Sequence, residues 1–167
     1  MTEGITIGLD PGLATTGYGV VRSGGGGWEA MAAGTIETPK GNPRAERLRT
    51  IFEETRALIA EYRPIGVAIE EVFLARNART AMRTAETRGV LVMAAAGTPI
   101  RGYTPLQLKK RITGYGRAGK AQVQATVKQL LHLREIPRPD DAADGLALAL
   151  CYLLEIQGVD RGNSVYL

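Results

Sequence analysis

A short apolar run in the middle of the chain sets the strongest limit on its fold. Residues 65–70 are nearly all apolar, and they follow Pro64, which ends the helical pattern before them. A run of this length without alternating polar residues is typical of a β-strand that is covered on both faces. The sequence therefore predicts a sheet flanked by helices, with this strand inside it.

Three more strands are predicted near the start of the chain. They cover residues 5–10, 17–22 and about 28–38. Pro11 and Gly12 form the first turn, and the four glycines at 24–27 form a hairpin tip. Strands that are joined by such short turns form an antiparallel meander.

Helical patterns alternate with the remaining strands. Asn42 and Pro43 predict a helix start, as capping residue and first helical residue. Further helices are expected at 78–96, 106–112, 121–133 and 141–156, with a fifth strand at 100–103. The order βββαβαβααα predicts an α/β fold with a five-stranded mixed sheet flanked by helices. We expect one domain over residues 1–157 and a loose C-terminal tail over 158–167.

Composition excludes several classes of protein. With 44% hydrophobic and 23% charged residues, the 167-residue chain is expected to fold rather than to be disordered. A single cysteine excludes an intramolecular disulfide, and one cysteine with one histidine cannot build a four-ligand zinc site. No signal peptide or long apolar span is recognisable, so a cytoplasmic protein without membrane contact is predicted.

Positive charge is concentrated in one part of the chain. Ten Lys or Arg residues and a single acid, Glu86, lie between Arg76 and Lys120, although the net charge of the whole chain is only +4. This basic window favours binding of a polyanion; a solvated helix face is the alternative. Because aromatic residues are only 5% of the chain, contact with phosphates is favoured over stacking on bases.

Four carboxylates lie at positions where the predicted strands and helix do not require an acidic residue. Asp10 and Glu70 end apolar strands, and Asp141 and Asp144 share one face at the start of the last helix. Taken singly, Asp10 also fits a turn before Pro-Gly, and the helical acids fit partners of the helix dipole. Asp140 is interpreted as a helix cap. If all four meet in one cleft, a cation has to lie among them.

The ligand type narrows the chemistry. Oxygen-only ligands select a hard ion such as Mg²⁺ or Mn²⁺, and a pair of these ions is typical of phosphodiester hydrolysis.

The segment 114–119 matches G-x-G-x-x-G, but it follows a predicted helix instead of a strand, so we reject a dinucleotide site. Two interpretations remain, a flexible loop that carries Arg117 and Lys120 to a phosphate and a surface loop without function.

Several motifs together resemble one family. They are Gly8-Leu9-Asp10-Pro11-Gly12, Thr16-Gly17-Tyr18-Gly19, Ala68-Ile69-Glu70-Glu71-Val72-Phe73, Arg76-Asn77 and Asp141-Ala142-Ala143-Asp144-Gly145-Leu146-Ala147. In this order and spacing, from about residue 5 to 156, the chain resembles RuvC, the family of bacterial Holliday-junction resolvases. The resemblance implies a ribonuclease-H-like fold and a homodimer that cuts four-way DNA junctions by paired symmetric nicks in recombination and repair. It further implies two Mg²⁺ ions per site, replaceable by Mn²⁺, and a branch-migration motor of RuvA and RuvB as partner.

The resemblance also assigns roles to residues. Asp10, Glu70, Asp141 and Asp144 match the catalytic metal ligands, and Lys120 matches a catalytic lysine. The expected DNA contacts, some from the motifs and some from the basic window, are Phe73, Arg76, Asn77, Lys109, Arg117 and Lys120. Phe73 would act as an exposed wedge at the junction, with a core phenylalanine as the alternative. Two departures from the family pattern are the additional acid Asp140 and the helix residue Gly145.

Other functions compete with junction cleavage. A nuclease of the same fold that acts on RNA is the nearest, followed by a silent nucleic-acid-binding module and an actin-like ATPase. Four intact carboxylates argue against the silent binder, and the chain length argues against the two-domain ATPase. For the dimer, the small residues of the basic helix suggest an interface; they are Ala85, Gly89, Ala94 and Ala95.

Overall fold

The computed structural model describes residues 2–72 and 77–159, which form five strands and five helices. The strands are β1 (Gly4–Asp10), β2 (Thr15–Gly24), β3 (Gly27–Glu37), β4 (Gly66–Glu70) and β5 (Ile100–Tyr103). The helices are α1 (Arg44–Tyr62), α2 (Ala78–Ala94), α3 (Pro105–Thr113), α4 (Lys120–Leu130) and α5 (Asp140–Ile156). Their order along the chain is the one that the sequence predicts. The expected tail lies almost wholly outside the described residues.

The five strands form one mixed sheet in the order β3-β2-β1-β4-β5. β1, β2 and β3 are antiparallel neighbours, whereas β4 pairs in parallel with both β1 and β5. The predicted mixed sheet is thus confirmed. Because β1 and β4 run in parallel, with Leu9 opposite Ile69, their carboxyl ends meet at the same edge of the sheet.

Helices cover both faces of the sheet. On one face, side chains of β1 and β4 pack with residues of α1 and α2, among them Ile51 and Leu91. On the other face lie α3, α4 and α5. Within β4, Val67 and Ile69 belong to the first core and Ala68 to the second, and all three are fully buried. The strand that is apolar throughout is therefore the one covered on both faces.

Helix α5 lies unusually close to the sheet. A Cβ atom added to Gly17 would overlap the carbonyl group of Asp141, and one added to Gly8 would overlap the carbonyl oxygen of Gly145. Gly145 in turn packs on the backbone of Tyr18. The departure at Gly145 therefore serves backbone-to-backbone packing. None of the helices in the described ranges has the length and apolar character needed to cross a membrane.

Most helix ends lie within two residues of the predictions, and two of the differences have a clear physical reason. α1 begins at Arg44 with Pro43 as its N-cap, and among the described side chains none caps it, so Asn42 does not have its expected role. α4 ends at Leu130, three residues before the predicted end at 133. Leu131 and Leu133 still contact the core after the helix has stopped, so the apolar pattern of the sequence continues past the helix. His132 lies beyond the helix with a φ of 52° and is exposed.

Candidate metal centre and its surroundings

Two strand ends bring the first two carboxylates together. Asp10 is the last residue of β1 and Glu70 the last of β4, and the parallel register sets them side by side. Besides burial, the charge of Glu70 acts directly on the Asp10 carboxyl group and raises its pKa. Both residues are only partly exposed, as expected for polar residues that end buried strands.

The first turns of α5 supply the other two carboxylates. Oxygen atoms of Asp10, Asp141 and Asp144 all lie within 4.8 Å of one another. Glu70 is not part of this three-residue group, but it lies beside Asp10 at the end of the neighbouring parallel strand. The close packing of Gly17 on Asp141 fixes this end of α5 against β2. The structure thus brings the four predicted carboxylates into one acidic cluster.

The acidic cluster is electrostatically unfavourable by itself. Burial, followed by the charges of Glu70 and Asp144, raises the pKa of Asp10 to about 8. Burial also raises the pKa of Glu70 and of Asp144, the latter in spite of nearby Lys120. Such groups become fully ionised together only when a positive charge lies among them. Four carboxylates with oxygen donors alone fit a hard divalent cation.

Lys120 contacts the acidic cluster from the start of α4. As the first residue of α4, it places its Nζ 3.5 Å from Oδ2 of Asp144 and 3.4 Å from Oδ2 of Asp140. Burial acts to lower the pKa of Lys120, but Asp144 and Asp140 together raise it above its ordinary value. Lys120 is therefore charged and positioned at the rim of the cluster.

Asp140 does not cap α5. It is the first residue of the helix, while Pro139 is the N-cap, and its carboxylate contacts side chains instead of backbone N–H groups. Arg138 Nη1 donates to its Oδ1 at 3.1 Å, and Lys120 lies on its Oδ2. The charge of Lys120 first, then its hydrogen bond, lowers the pKa of Asp140. Asp140 is thus a partner of Lys120, and it is not among the three residues of the potential metal group.

A cavity of about 230 Å³ opens beside the acidic cluster. We call it the catalytic cavity. Acidic residues, two lysines and apolar side chains line it: Asp10, Glu70, Asp144, Lys109, Lys120, Pro105, Leu108, Val123 and Leu148. Lys109 comes from α3, so the predicted DNA-contact lysine and the predicted catalytic lysine reach the same cavity from two helices. Acidic side chains and ammonium groups that line one cavity suit a phosphate bridged by cations.

The other predicted DNA contacts are placed less directly. Phe73 and Arg76 lie outside the described residues. Arg117 is exposed in the loop between α3 and α4. The side-chain oxygen of Asn77 accepts hydrogen bonds from the backbone N–H groups of Arg79 and Thr80 and caps α2, a local role that sequence analysis missed. An Asn before a helical run is a recognisable capping signal.

Part of the positive charge of the basic window is neutralised by acidic side chains that the fold brings next to it. Arg88 Nη2 lies 2.7 Å from Glu71 Oε1, and its Nε donates to the carbonyl of Glu70, which ties α2 to the end of β4. Arg101 and Arg111 both pair with Glu155 of α5. Their acidic partners lie outside the window in sequence, which is why the charge count could not reveal these pairs.

Two of the four α2 residues that the sequence suggests for the dimer interface lie in the core instead. Ala94 and Ala95 are fully buried in the core of this chain. Ala85 and Gly89 are exposed, and nothing lies within 4 Å of a Cβ added to Gly89. Two strongly exposed methionines, Met82 (73%) and Met93 (67%), extend the same face. Together Met82, Ala85, Gly89 and Met93 form an apolar surface, which we call the α2 face.

The chain matches one protein family over most of its length. The model of the family "Crossover junction endodeoxyribonuclease RuvC" matches residues 6–152. The chain belongs to the RuvC family. The family resemblance and the ribonuclease-H-like fold class expected from the sequence are both confirmed.

Individual relatives agree with this assignment. The RuvC of Syntrophomonas wolfei is 51% identical over 149 residues, covering 88% of this chain and 87% of that protein. The RuvC of Rubrobacter xylanophilus is 50% identical over 153 residues, covering 90% of this chain and 86% of that protein. Both carry the name crossover junction endodeoxyribonuclease.

Solved structures extend the comparison to three dimensions. T. thermophilus RuvC in complex with Holliday junction substrate has a TM-score of 0.88 at 32% identity, covering 94% of this chain and 98% of that one. A Fowlpox virus resolvase, solved with Holliday junction DNA, has a TM-score of 0.59 at 15% identity, covering 90% and 99%. The second likeness shows the common fold alone.

Proposed function

We propose that this chain is a Mg²⁺-dependent endonuclease that resolves Holliday junctions by paired symmetric nicks. Membership in the RuvC family supports a crossover junction endodeoxyribonuclease. The observation that carries the mechanism is the group of carboxylate oxygens of Asp10, Asp141 and Asp144 within 4.8 Å of one another. A silent binding protein would gain nothing from such a concentration of negative charge facing DNA phosphates.

The four carboxylates of the acidic cluster hold the metal ions. Asp10 and Glu70 approach from the sheet edge, and Asp141 and Asp144 from α5, so an ion would be held between two separate elements. Their partial burial and mutual repulsion make a divalent ion the natural countercharge. When bound, two Mg²⁺ ions supply a polarised water and offset charge on the phosphodiester. Mn²⁺ offers the same coordination and is expected to substitute.

The two cavity lysines act on the phosphate. Lys120, fixed by Asp144 and Asp140, presents an ammonium group where negative charge develops on the phosphate during cleavage. Lys109, on the α3 side of the cavity, helps to hold the substrate phosphate in place. Arg117, Asn77, Phe73 and Arg76 are proposed to contact DNA outside the cavity, with Phe73 against junction bases.

A single assay tests this function. Purified protein is incubated with labelled four-way junction, linear duplex and RNA–DNA hybrid, each with Mg²⁺ or with a chelator. We expect symmetric nicks in the junction only, and only with the metal. Cleavage of the hybrid without cleavage of the junction would assign the same centre to RNA processing. Junction cleavage that persists in chelator would contradict the role of the acidic cluster.

A homodimer would provide two centres for two symmetric cuts. The α2 face suits the interface, because its small central residues allow close helix approach while Met82 and Met93 offer apolar contact area. We expect Met82→Glu with Met93→Glu to give monomers in sedimentation analysis. The control is Met31→Glu, at a methionine of β3 that is 39% exposed. Equal sedimentation of wild type and double variant would exclude this face.

Three wider assignments complete the proposal. Residues 1–157 constitute one nuclease domain, followed by the tail at 158–167. The family resemblance favours a branch-migration motor of RuvA and RuvB as the partner that delivers junctions. Since the substrate is DNA, we place the enzyme in the bacterial cytoplasm, where the chromosome lies.

A further inference from the structure

A second cavity, of about 700 Å³, lies between the starts of α1 and α2 and the β1–β2 turn. Four basic residues line it, namely Lys40, Arg44, Arg47 and Arg83. We call it the basic groove. The other lining residues are small or uncharged: Gly12, Leu13, Ala14, Thr15, Asn42, Thr80 and Thr84. Within the described part of the chain, no acidic or aromatic side chain lines it.

Most of the positive charge in the basic groove is not neutralised. Arg47 is held in place by hydrogen bonds from Nε and Nη2 to Oγ1 and the carbonyl of Thr38, both neutral acceptors. Lys40 and Arg83 have no ion pair among the described residues, whereas Arg44 has an exposed one with Glu86, at 3.5 Å. Three cations thus remain available for an anionic ligand.

A third cavity has lining residues in common with both the basic groove and the catalytic cavity. This smaller cavity shares Glu70 and Pro105 with the catalytic cavity. It shares Thr80 and Thr84, on the first turns of α2, with the basic groove. An extended ligand that leaves the acidic cluster therefore has a path over the start of α2 to the four basic residues.

We propose that the basic groove binds the sugar-phosphate backbone of the DNA arm that extends from the cleavage site. This inference rests on the proposed junction cleavage. Cations spread along a groove suit a polymer with regularly spaced charges better than a single phosphate. Without aromatic or acidic side chains in its lining, the groove offers charge contacts to the backbone and little that could read bases. It therefore contributes affinity in a sequence-independent manner.

Charge neutralisation tests the proposal on the intact protein. The variant Lys40→Gln/Arg83→Gln removes two groove charges and no observed ion pair. Its control, Arg63→Gln/Lys128→Gln, removes two charges at the far end of α1 and on α4, outside both cavities. Binding of a four-way junction is measured in chelator at salt concentrations from roughly 50 to 200 mM, which include physiological ionic strength. We expect about tenfold weaker binding and a salt slope smaller by about two for the groove variant alone.

Arm length adds a readout that general loss of charge would not change. Junctions whose arms are cut back step by step should lose affinity for wild type at the length that no longer reaches the groove. The groove variant should not respond to that step, and its cleavage rate at saturating protein should equal that of wild type. Equal weakening by the groove and control variants, or an identical arm-length response, would overturn the proposal. Failure of wild type itself to bind or cut the junction would instead overturn the proposed function.

Crosslinking locates the DNA independently of affinity. Lys40→Cys introduces a reactive thiol into a chain whose only other cysteine, Cys151, is buried. DNA junctions with a thiol-reactive tether at single backbone positions are then presented in chelator. We expect crosslinks at arm phosphates on one side of the cleavage site, and none with the matched variant Arg63→Cys. Crosslinks that are spread evenly along all arms would contradict a fixed path.

Discussion

The catalytic cavity and the basic groove hold charge in different ways. In the cavity, Asp10 and Asp144 are fixed by a strand end and by a helix packed backbone-to-backbone on the sheet. In the groove, Lys40 and Arg83 project from exposed positions without an ion-pair partner among the described residues. Metal chemistry depends on ångström-level placement, whereas phosphate contact depends mainly on the sign and density of charge.

This difference predicts how each region responds to substitution. A neutral side chain of equal size in the acidic cluster should abolish cleavage without loss of DNA affinity. Neutral side chains in the basic groove should reduce affinity by degrees and leave the chemical step intact. Variants that remove cleavage and binding together would break the comparison, since they would show that the two regions are not separable.

The largest effect is expected for Asp10→Asn. The amide preserves size but cannot serve as an anionic metal ligand at the centre of the acidic cluster. We expect cleavage of the junction to fall by at least about 10³-fold, measured in single turnover with Mg²⁺. Binding in chelator should not weaken, because the substitution adds no negative charge facing the DNA. Loss of binding to the same extent would indicate a role of Asp10 in folding instead.

The second largest effect is expected for Gly17→Ala, which displaces the acidic cluster by overpacking α5 against the sheet. In Gly17→Ala, the new Cβ would overlap the carbonyl group of Asp141 and push the first turn of α5 from the sheet. Such overpacking costs about 1–3 kcal/mol of stability. A shift of about 1 Å at reacting groups can cost about 100-fold in rate. Urea unfolding and single-turnover cleavage measure the two effects.

The matched control for this substitution is Gly24→Ala. Gly24 lies at the β2–β3 hairpin tip, where nothing lies within 4 Å of an added Cβ. We expect its stability and cleavage to stay close to those of wild type. If both variants lost cleavage equally, close packing of α5 would not be what positions the acidic cluster.

The order of elements could be predicted because its signals are local. Proline and glycine punctuation, the apolar run before Glu70 and the helical periodicities all act over a few residues. Helix ends were less accurate, as at Leu131, since a side chain can pack on the core after its helix has ended. The approach of Asp10 to Glu70 followed from strand ends that share one sheet edge, and the start of α5 adds the other two carboxylates.

What could not be predicted depends on contacts between distant segments. The packing of Gly145 on Tyr18 joins residues far apart in the chain, and so does the pairing of Arg101 with Glu155. The groove combines Lys40, from outside the basic window, with Arg83, from inside it. A charge count along the sequence treats such residues as separate and therefore missed the groove.

A smaller effect is expected for Asp140→Asn. Asp140 shares Lys120 with Asp144, and its own carboxylate is outside the potential metal group. Because exposed ion pairs are weak and Lys120 keeps Asp144, we expect cleavage to change by no more than about fivefold in single turnover. A loss as large as that of Asp10→Asn would mean that Asp140 is itself a metal ligand. This variant therefore defines where the acidic cluster ends.

The smallest effect is expected at Cys151, in the buried part of α5. Burial, opposed by Arg111, raises the pKa of its thiol to about 12. At pH 8, a thiol-specific reagent should leave native protein unmodified and label the unfolded chain fully, because the thiolate is the reactive form.

Cys151 also reports how far a disturbance spreads along α5. If Gly17→Ala moves only the first turn, Cys151 stays protected although cleavage is lost, and the acidic cluster depends on local geometry. If Cys151 is labelled at the same rate as in urea, the whole helix has loosened, and loss of rate would reflect instability. The first outcome would sharpen the contrast with the basic groove, whose variants should change neither labelling nor the rate at saturation. The second outcome would mean that the stability of α5, and not the fine placement of the acidic cluster, accounts for the lost rate.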